Sequence, residues 1–133
     1  MIRIGVIGYG YWGPNIVRNF NSIDGARVTA VGDMNPAALK KVNAAWPGIR
    51  TTTDCDEIIS APDIDAVAVV TPVYPHLELA RKVLQEGKHL FIEKPFTSTS
   101  VEAEELIELA AQKNLTIMVD HTFLFSGAVR KIK

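Results

Sequence analysis

The sequence contains one cysteine, Cys55, in 133 residues. A lone thiol excludes an intramolecular disulfide and a cysteine-ligated metal cluster, and we predict no metal site. No second thiol and no base flanks Cys55 in the sequence, so an inert side chain is a better interpretation of it than a nucleophile.

The chain also lacks an excess of charge and any long apolar run. Its 14 lysines and arginines nearly balance 15 aspartates and glutamates, which argues against a nucleic-acid or anionic-membrane partner. No apolar run approaches the length of a membrane span, and the N-terminus leads into a strand without a signal-peptide pattern, so we expect a cytoplasmic protein. With 47% hydrophobic and 22% charged residues, the composition is that of one globular domain with a core.

The beginning of the chain has the order strand, glycine-rich turn, helix, strand and acid. An apolar run at Ile2–Ile7 leads into Gly8-Tyr9-Gly10-Tyr11-Trp12-Gly13, and a second apolar run, 26–32, ends at Asp33. A G-x-G-x-x-G pattern in this context indicates a dinucleotide site, whereas the same pattern alone is a weak signal.

Each glycine of this turn has a mechanical role in such a site. Gly8 allows a sharp turn out of the first strand, Gly10 lets a pyrophosphate approach the backbone, and Gly13 lets the helix lie close to the sheet. The helix that starts near Pro14 directs free N–H groups and its positive dipole end at the anion. We expect all six residues from 8 to 13 to belong to the cofactor site.

Asp33 lies twenty residues beyond Gly13, at the carboxyl end of the second strand. A carboxylate there can accept hydrogen bonds from the adenosine ribose hydroxyls, and it would repel a 2′-phosphate. We therefore predict NAD as the cofactor in preference to NADP, with Asp33 and its neighbour Met34 among the binding residues. Methyltransferases also have a glycine-rich turn after the first strand and an acid after the second, so that class stays open at this point.

Six apolar segments alternate with helical patterns along the chain. Strands are predicted at 2–7, 26–32, 49–52, 65–70, 89–92 and 116–119, and helices begin near residues 14, 36, 53, 75 and 100. Ser100 is predicted to cap the fifth helix, which is expected to bury Val101, Leu106, Ile107 and Ala110. The alternation predicts an α/β fold, a doubly wound parallel sheet of the Rossmann type with strand order 3-2-1-4-5-6 and a crevice between the first and fourth strands.

Ligands of open parallel sheets lie beyond the carboxyl ends of the strands, which makes two further segments candidates. The first follows the fourth strand and contains Thr71, Pro72, Tyr74 and His76. We predict that these residues line the nicotinamide side of the crevice. For His76, a capping or surface histidine is an equally good interpretation.

The second segment, Glu93-Lys94-Pro95, follows the fifth strand. Lys94 is the one lysine at a strand's carboxyl end, which makes it the candidate catalytic residue, because it could bind or polarise a substrate oxygen beside the nicotinamide. A solvated surface lysine is the alternative interpretation. Glu93 and Pro95 are predicted to lie at the cofactor site with Lys94.

These motifs resemble the Gfo/Idh/MocA oxidoreductase family, named for glucose–fructose oxidoreductase and inositol dehydrogenase. The glycine-rich turn, Thr71-Pro72 with His76, and Glu93-Lys94-Pro95 occur in the family's order. The resemblance implies an NAD(P)-dependent dehydrogenase that transfers hydride between a nicotinamide and a ring hydroxyl of a sugar, sugar nucleotide or cyclitol. It also implies a catalytic role for Lys94 and a cis Lys94–Pro95 bond.

The resemblance further implies that residues 1–120 form the nucleotide domain and that 121–133 begin the connection to a C-terminal α/β domain absent from this chain. In the family, that domain carries most of the substrate pocket, an acid–base aspartate/histidine pair and the oligomer interface. We therefore expect this chain to bind a dinucleotide without efficient turnover, and its full-length parent to be a homo-oligomer. Phe123, Leu124 and Phe125 are expected to pack back on the domain edge or against another copy.

Three other functions compete with a dehydrogenase. A non-catalytic NAD(H)-binding sensor or regulatory module would not need Lys94, although the expected absence of a second domain favours it for this chain alone. Gly13 at the helix start and the Glu93-Lys94-Pro95 segment argue against a methyltransferase. The lack of any Tyr-x-x-x-Lys pattern argues against a short-chain reductase.

Overall fold

A computed structural model describes residues 1–132 and contains a parallel sheet of six strands with the order β3-β2-β1-β4-β5-β6. The strands are β1 Ile2–Ile7, β2 Ala26–Gly32, β3 Arg50–Thr52, β4 Ala66–Val69, β5 His89–Glu93 and β6 Ile117–Asp120. The helices are α1 Gly13–Asn21, α2 Pro36–Ala45, α3 Cys55–Ile59, α4 His76–Gln85, α5 Ser100–Gln112 and α6 Gly127–Ile132, with a 3-10 turn at Thr122–Phe125. The predicted fold class and strand order are confirmed.

Two apolar clusters cover the two faces of the sheet. Successive residues of a strand point to opposite faces, so Val6 of β1 joins the cluster under α1 and α2, while Ile7 joins the cluster under α3, α4 and α5. The same alternation occurs in β5, where Phe91 faces the first cluster and Ile92 the second. Burial on both faces explains why the central strands are continuous apolar runs.

Side chains that accept backbone hydrogen bonds fix the starts of two helices. Asn35 caps α2 by accepting from the N–H of Ala37, at 3.0 Å, as its position before Pro36 predicts. At α5 the prediction was one residue off, because Thr99, and not Ser100, is the N-cap. Thr99 and Glu102 form a reciprocal capping box that begins the helix there.

The predicted apolar stripe of α5 is half wrong. Leu106 and Ala110 are buried, but Val101 and Ile107 are 73% and 56% exposed. Residues four apart share a helix face, and Ile107 lies about 100° around the axis from Leu106. Because α5 packs only through the Leu106 side, an apolar residue next in sequence points to solvent.

The segment after β6 does not pack back on the domain edge. Phe123, Leu124 and Phe125 are 73%, 50% and 64% exposed, which contradicts the first of the two packing arrangements expected for them. Their packing against another copy stays a prediction. The predicted connecting segment 121–133 is described as far as Ile132, and Lys133 lies outside the described residues.

Candidate dinucleotide site

The glycine-rich turn connects β1 to α1 and contacts β4. Gly8 has φ of +99°, and a Cβ at this position would lie 2.6 Å from the carbonyl oxygen of Val70. A Cβ at Gly13 would lie 2.8 Å from the carbonyl oxygen of Gly8. These two positions therefore need glycine for the chain to turn and for the helix to approach the strand.

Gly10 differs from the other two glycines because a Cβ there would meet nothing within 4 Å. The residue is exposed and lines a large cavity at the carboxyl edge of the sheet. Packing therefore does not require glycine at this position. A ligand that approaches the backbone closely would require it, because a Cβ would stand in the ligand's way. The observation fits a pyrophosphate lying against Gly10.

The N-terminus of α1 opens beside this turn without a side-chain cap. Trp12 is the N-cap residue but makes no side-chain cap hydrogen bond, Pro14 has no N–H, and the first turn contains no acidic residue. The free N–H groups and the positive end of the helix dipole are thus available to an anion. The donor set fits a phosphate group.

The carboxylate of Asp33 is fixed by backbone donors. Its Oδ2 accepts from the N–H of Tyr9 at 2.7 Å, and its Oδ1 accepts from the N–H of Asn35 at 2.8 Å. The first bond joins the end of β2 to the glycine-rich turn. A carboxylate has about four lone-pair positions, so two bonds leave acceptor capacity for ribose hydroxyls.

The cavity at this edge has a volume of about 760 Å³. Seven of the site residues predicted from the sequence line this cavity: Gly8, Gly10, Asp33, Met34, Thr71, Pro72 and Tyr74. The sequence interpretation missed Gly32, Thr53, Asp54, Cys55, Asp56, Leu79 and Lys82, which also line it. Thr53 and Asp54 follow β3 directly, so the strand-end rule applied to β1, β2, β4 and β5 would have found them.

Acidic groups dominate the electrostatics of this cavity. Asp33, Asp54 and Asp56 line it, and the one cation among its described residues, Lys82, is bound to Asp56 with Nζ 3.0 Å from Oδ1. Burial, and then the neighbouring carboxylate of Asp33, raise the pKa of the Cys55 thiol. A raised pKa keeps the thiol protonated, which supports the inert interpretation of Cys55.

His76 joins the two candidate loops instead of facing the cavity. Its ring is 1% exposed. Nδ1 lies 3.0 Å from the carbonyl oxygen of Pro95 and 3.1 Å from that of Phe96, and Nε2 lies 2.9 Å from that of Thr71. The imidazole therefore lies between the segment after β4 and the segment after β5.

Lys94 lies at a different cavity from Gly10 and Asp33. Its side chain is exposed and lines a cavity of about 420 Å³ with His121, Thr122, Phe123, Leu124 and Val129. Its N–H donates to Oε2 of Glu93 at 3.1 Å, and the Lys94–Pro95 bond is cis, as the resemblance implied. Lys94 thus lies next to the segment that follows β6.

The aromatic residues of the glycine-rich turn do not line the large cavity. Tyr9 is buried in the core with its ring against Gly13. Tyr11 and Trp12 are 87% and 47% exposed and form an edge-to-face pair with ring centroids 5.2 Å apart. Of these three residues only Tyr9 has a contact that shapes the site, through its N–H to Asp33.

Residues 1–132 contain neither a cluster of metal-ligating side chains nor a membrane-spanning helix. No group of three or more His, Cys, Asp and Glu side chains is arranged to hold a metal ion within this range. None of the helices of this range combines the length and apolar character needed to cross a membrane.

The sheet, the glycine-rich turn and the acid after β2 define a dinucleotide-binding domain of the Rossmann type. Comparison with known proteins gives the family: residues 2–121 match the family model for the oxidoreductase family with an NAD-binding Rossmann fold, Gfo/Idh/MocA. The chain belongs to the Gfo/Idh/MocA oxidoreductase family, as the motifs indicated.

Three similar proteins illustrate the range of the family. An uncharacterised oxidoreductase of Streptococcus pneumoniae is 32% identical over the whole chain and 35% of its own length. Inositol 2-dehydrogenase 2 of Paenarthrobacter aurescens is 34% identical, covering 98% of this chain and 38% of the relative. The structure of Synechocystis biliverdin reductase in complex with biliverdin and NADP⁺ is 27% identical with a TM-score of 0.93, over 98% of this chain and 41% of that one.

The chain thus spans little more than a third of the length of these two curated relatives, and 22% of the length of another. The matched part is the dinucleotide-binding region.

Proposed function

We propose that this chain is the NAD-binding part of a dehydrogenase that transfers hydride between a nicotinamide and a ring hydroxyl or keto group of a sugar, sugar nucleotide or cyclitol. The observation that carries the proposal is Gly10, a glycine without a packing reason, set between the uncapped start of α1 and the fixed carboxylate of Asp33. The inositol dehydrogenase among the relatives supports a cyclitol or sugar substrate.

Different residues of the chain bind different parts of the dinucleotide. Gly10 and the free N–H groups at the start of α1 hold the pyrophosphate, and Asp33 accepts hydrogen bonds from the adenosine ribose. Thr71, Pro72 and Tyr74 continue the cavity towards the nicotinamide side. The cofactor, when bound, supplies the carbon that accepts or gives the hydride.

Lys94 acts on the substrate oxygen in this proposal. When a ring hydroxyl is oxidised, its proton must leave as the hydride leaves the carbon. The Nζ of Lys94 donates a hydrogen bond to the oxygen and polarises it, and the proton passes to the acid–base pair that the resemblance assigns to the C-terminal domain. A sensor module would have no use for such a group. The exposed position of Lys94 at a cavity of its own, outside the nucleotide cavity, supports contact with a second molecule.

The acidic cavity supports NAD over NADP. A 2′-phosphate would lie near Asp33, with Asp54 and Asp56 in the same cavity. The nearby Lys82 is already bound to Asp56 and to Glu78, at 3.4 Å, so it is not a free partner for a phosphate. The similar structure of biliverdin reductase contains NADP⁺, so the preference of this chain has to be measured.

Calorimetric titration of the chain with NADH and NADPH tests the proposal. We expect NADH to bind more tightly. Replacing Asp33 by Ser should shrink or reverse the preference, and Asp24→Ser, an exposed turn residue, serves as the control.

The ratio of the two affinities is the informative quantity in this titration. The substitution of Asp33 has two effects. Loss of the hydrogen bond from Tyr9 loosens the turn and weakens the binding of both dinucleotides, whereas loss of the negative charge strengthens the binding of NADPH alone. Equal binding of NADH and NADPH by the parent chain would remove the role of Asp33 in selection. If the chain bound neither NADH nor NADPH, the proposal would be rejected.

A further inference from the structure

Two carboxyl groups lie side by side at the ends of β5 and β6. Glu93 and Asp120 are the last residues of these strands and are paired in register. Residues in register on adjacent strands point to the same side of the sheet. Glu93 is buried, with 7% of its surface exposed, and the pairing of the two strand ends brings its carboxyl next to that of Asp120.

A hydrogen bond between two carboxyl groups requires a proton on one of them, because an ionised carboxylate only accepts. Burial is the largest influence on Glu93 and raises its pKa, and the adjacent Asp120 raises it further. Lys94, whose N–H and positive charge favour the ionised form, acts in the opposite direction. Asp120 across the strand pair and Lys94 at the strand end are the charged groups that face Glu93.

The same glutamate holds the backbone of the candidate catalytic lysine. Oε2 of Glu93 accepts from the N–H of Lys94 at 3.1 Å. On the other side of the pair, the hydroxyl of Thr122 donates to Oδ1 of Asp120 at 3.3 Å. The pair thus connects Lys94 to the segment that lines its cavity, which includes Thr122.

We infer that Glu93 and Asp120 form a proton-sharing carboxyl pair that positions Lys94 through its backbone N–H. Glu93 and Asp120 are positioning residues, since they act through Lys94 and do not touch the reacting atoms. The inference rests on the proposed function only where it concerns turnover. The shared proton is a property of the chain without cofactor or substrate.

Carbon-detected NMR titration of the side-chain carboxyl groups tests the shared proton directly. We expect Glu93 to ionise at higher pH than the exposed Glu104. Asp120→Asn, which removes the neighbouring charge, should shift the Glu93 transition to lower pH. The control Glu104→Gln should leave it in place. A Glu93 that titrates together with Glu104, or that does not respond to Asp120→Asn, would overturn the inference.

The pH dependence of the stability provides a second test, because the direction of the change is known. A carboxyl whose pKa is raised by folding favours the folded state in its protonated form, so the parent loses stability as pH rises from the ordinary glutamate pKa through the raised value. Glu93→Gln keeps an oxygen for the Lys94 N–H and cannot ionise, so its urea midpoint should show less of this loss. An identical pH dependence in parent and variant would count against the shared proton.

Two substitutions at Glu93 separate positioning from charge in the full-length enzyme. With Glu93→Gln, the pH profile of kcat should lose one ionisation. With Glu93→Ala, kcat should fall over the whole pH range, because the acceptor for Lys94 is gone. Unchanged pH profiles in both variants would overturn the role in turnover. NADH affinity measured on the same samples keeps this result separate from the proposed function, because cofactor binding tests the site at Gly10 and Asp33 and not the carboxyl pair.

Discussion

At the scale of single residues, one amino acid serves different purposes in the same turn. Gly8 is required by backbone conformation and by the closeness of Val70, whereas Gly10 has open space around it. The sequence pattern G-x-G-x-x-G treats these positions alike. The structure separates a glycine that the fold needs from one that has no packing constraint and lies beside the uncapped start of α1, and this difference can be measured.

Alanine substitutions at three glycines should give three different results. Gly8→Ala should lower the free energy of unfolding by about 1–3 kcal/mol, because it forces a Cβ into a left-handed conformation and against a carbonyl. Gly10→Ala should change the stability by less than about 0.5 kcal/mol but weaken NADH binding by about tenfold or more, as expected for a loss above about 1.4 kcal/mol. Gly48→Ala, also in open space but far from the cavity, is the control. Urea denaturation and calorimetry make the two measurements, and full NADH affinity in Gly10→Ala would be the contrary result.

The ion pair between Arg3 and Asp65 should make the stability of the fold sensitive to acid. The Arg3 guanidinium donates to both carboxylate oxygens, at 3.0 and 2.7 Å, and its backbone N–H donates at 2.8 Å. These bonds hold the pKa of Asp65 well below its usual range. A lowered pKa stabilises the fold above the unfolded-state pKa, which is about 3.9, and the stabilisation is lost as pH falls below it. Asp65→Asn should therefore be less stable than the parent at pH 7 and approach it at pH 2, as measured by urea midpoints; a difference independent of pH would contradict this origin.

At the scale of the elements, the sequence predicted the six strands and their order because buried parallel strands are continuous apolar runs. It also predicted the cap at Asn35, where the local pattern alone decides. It did not predict that His76 turns inward to bind Thr71, Pro95 and Phe96, since both loops are needed to define that position. Likewise, apolar character alone did not reveal which side of α5 faces the core.

Two adjacent residues of α5 test how that helix packs. Leu106→Ala should cost about 2–5 kcal/mol, as for a fully buried leucine that leaves a cavity. Ile107→Ala should cost less than about 0.5 kcal/mol, because the side chain is largely exposed. Guanidinium or urea unfolding of the chain measures both. A large loss in Ile107→Ala would show that this face is covered in solution.

At the scale of the whole molecule, two cavities lie at one edge of the sheet. The nucleotide cavity lies at β1, β2 and β4, and the cavity of Lys94 lies beyond β5 and β6. The buried ring of His76 lies between the loops, with Nδ1 close to the carbonyl oxygen of Pro95 and Nε2 close to that of Thr71. A nucleotide extended along the edge would bring its nicotinamide towards the lysine, where the hydride transfer of the proposed function requires it.

The role of Lys94 predicts a selective loss of turnover in the full-length enzyme. Lys94→Ala should lower kcat by about 10²–10⁴-fold, the range of general acid–base groups, with a smaller effect on KM because the interaction strengthens in the transition state. Lys41→Ala, an exposed lysine on α2, is the matched control. An unchanged kcat in Lys94→Ala would support the alternative interpretation of Lys94 as a surface lysine. It would also favour a non-catalytic NAD(H)-binding module over a dehydrogenase.

A crystal structure of this chain grown or soaked with NADH would test the central claim most directly. The account predicts density for the pyrophosphate against the backbone of Gly10 at the start of α1, and the adenosine ribose hydroxyls within hydrogen-bond distance of the Asp33 carboxylate. A dinucleotide bound elsewhere, or a ribose turned away from Asp33, would contradict it.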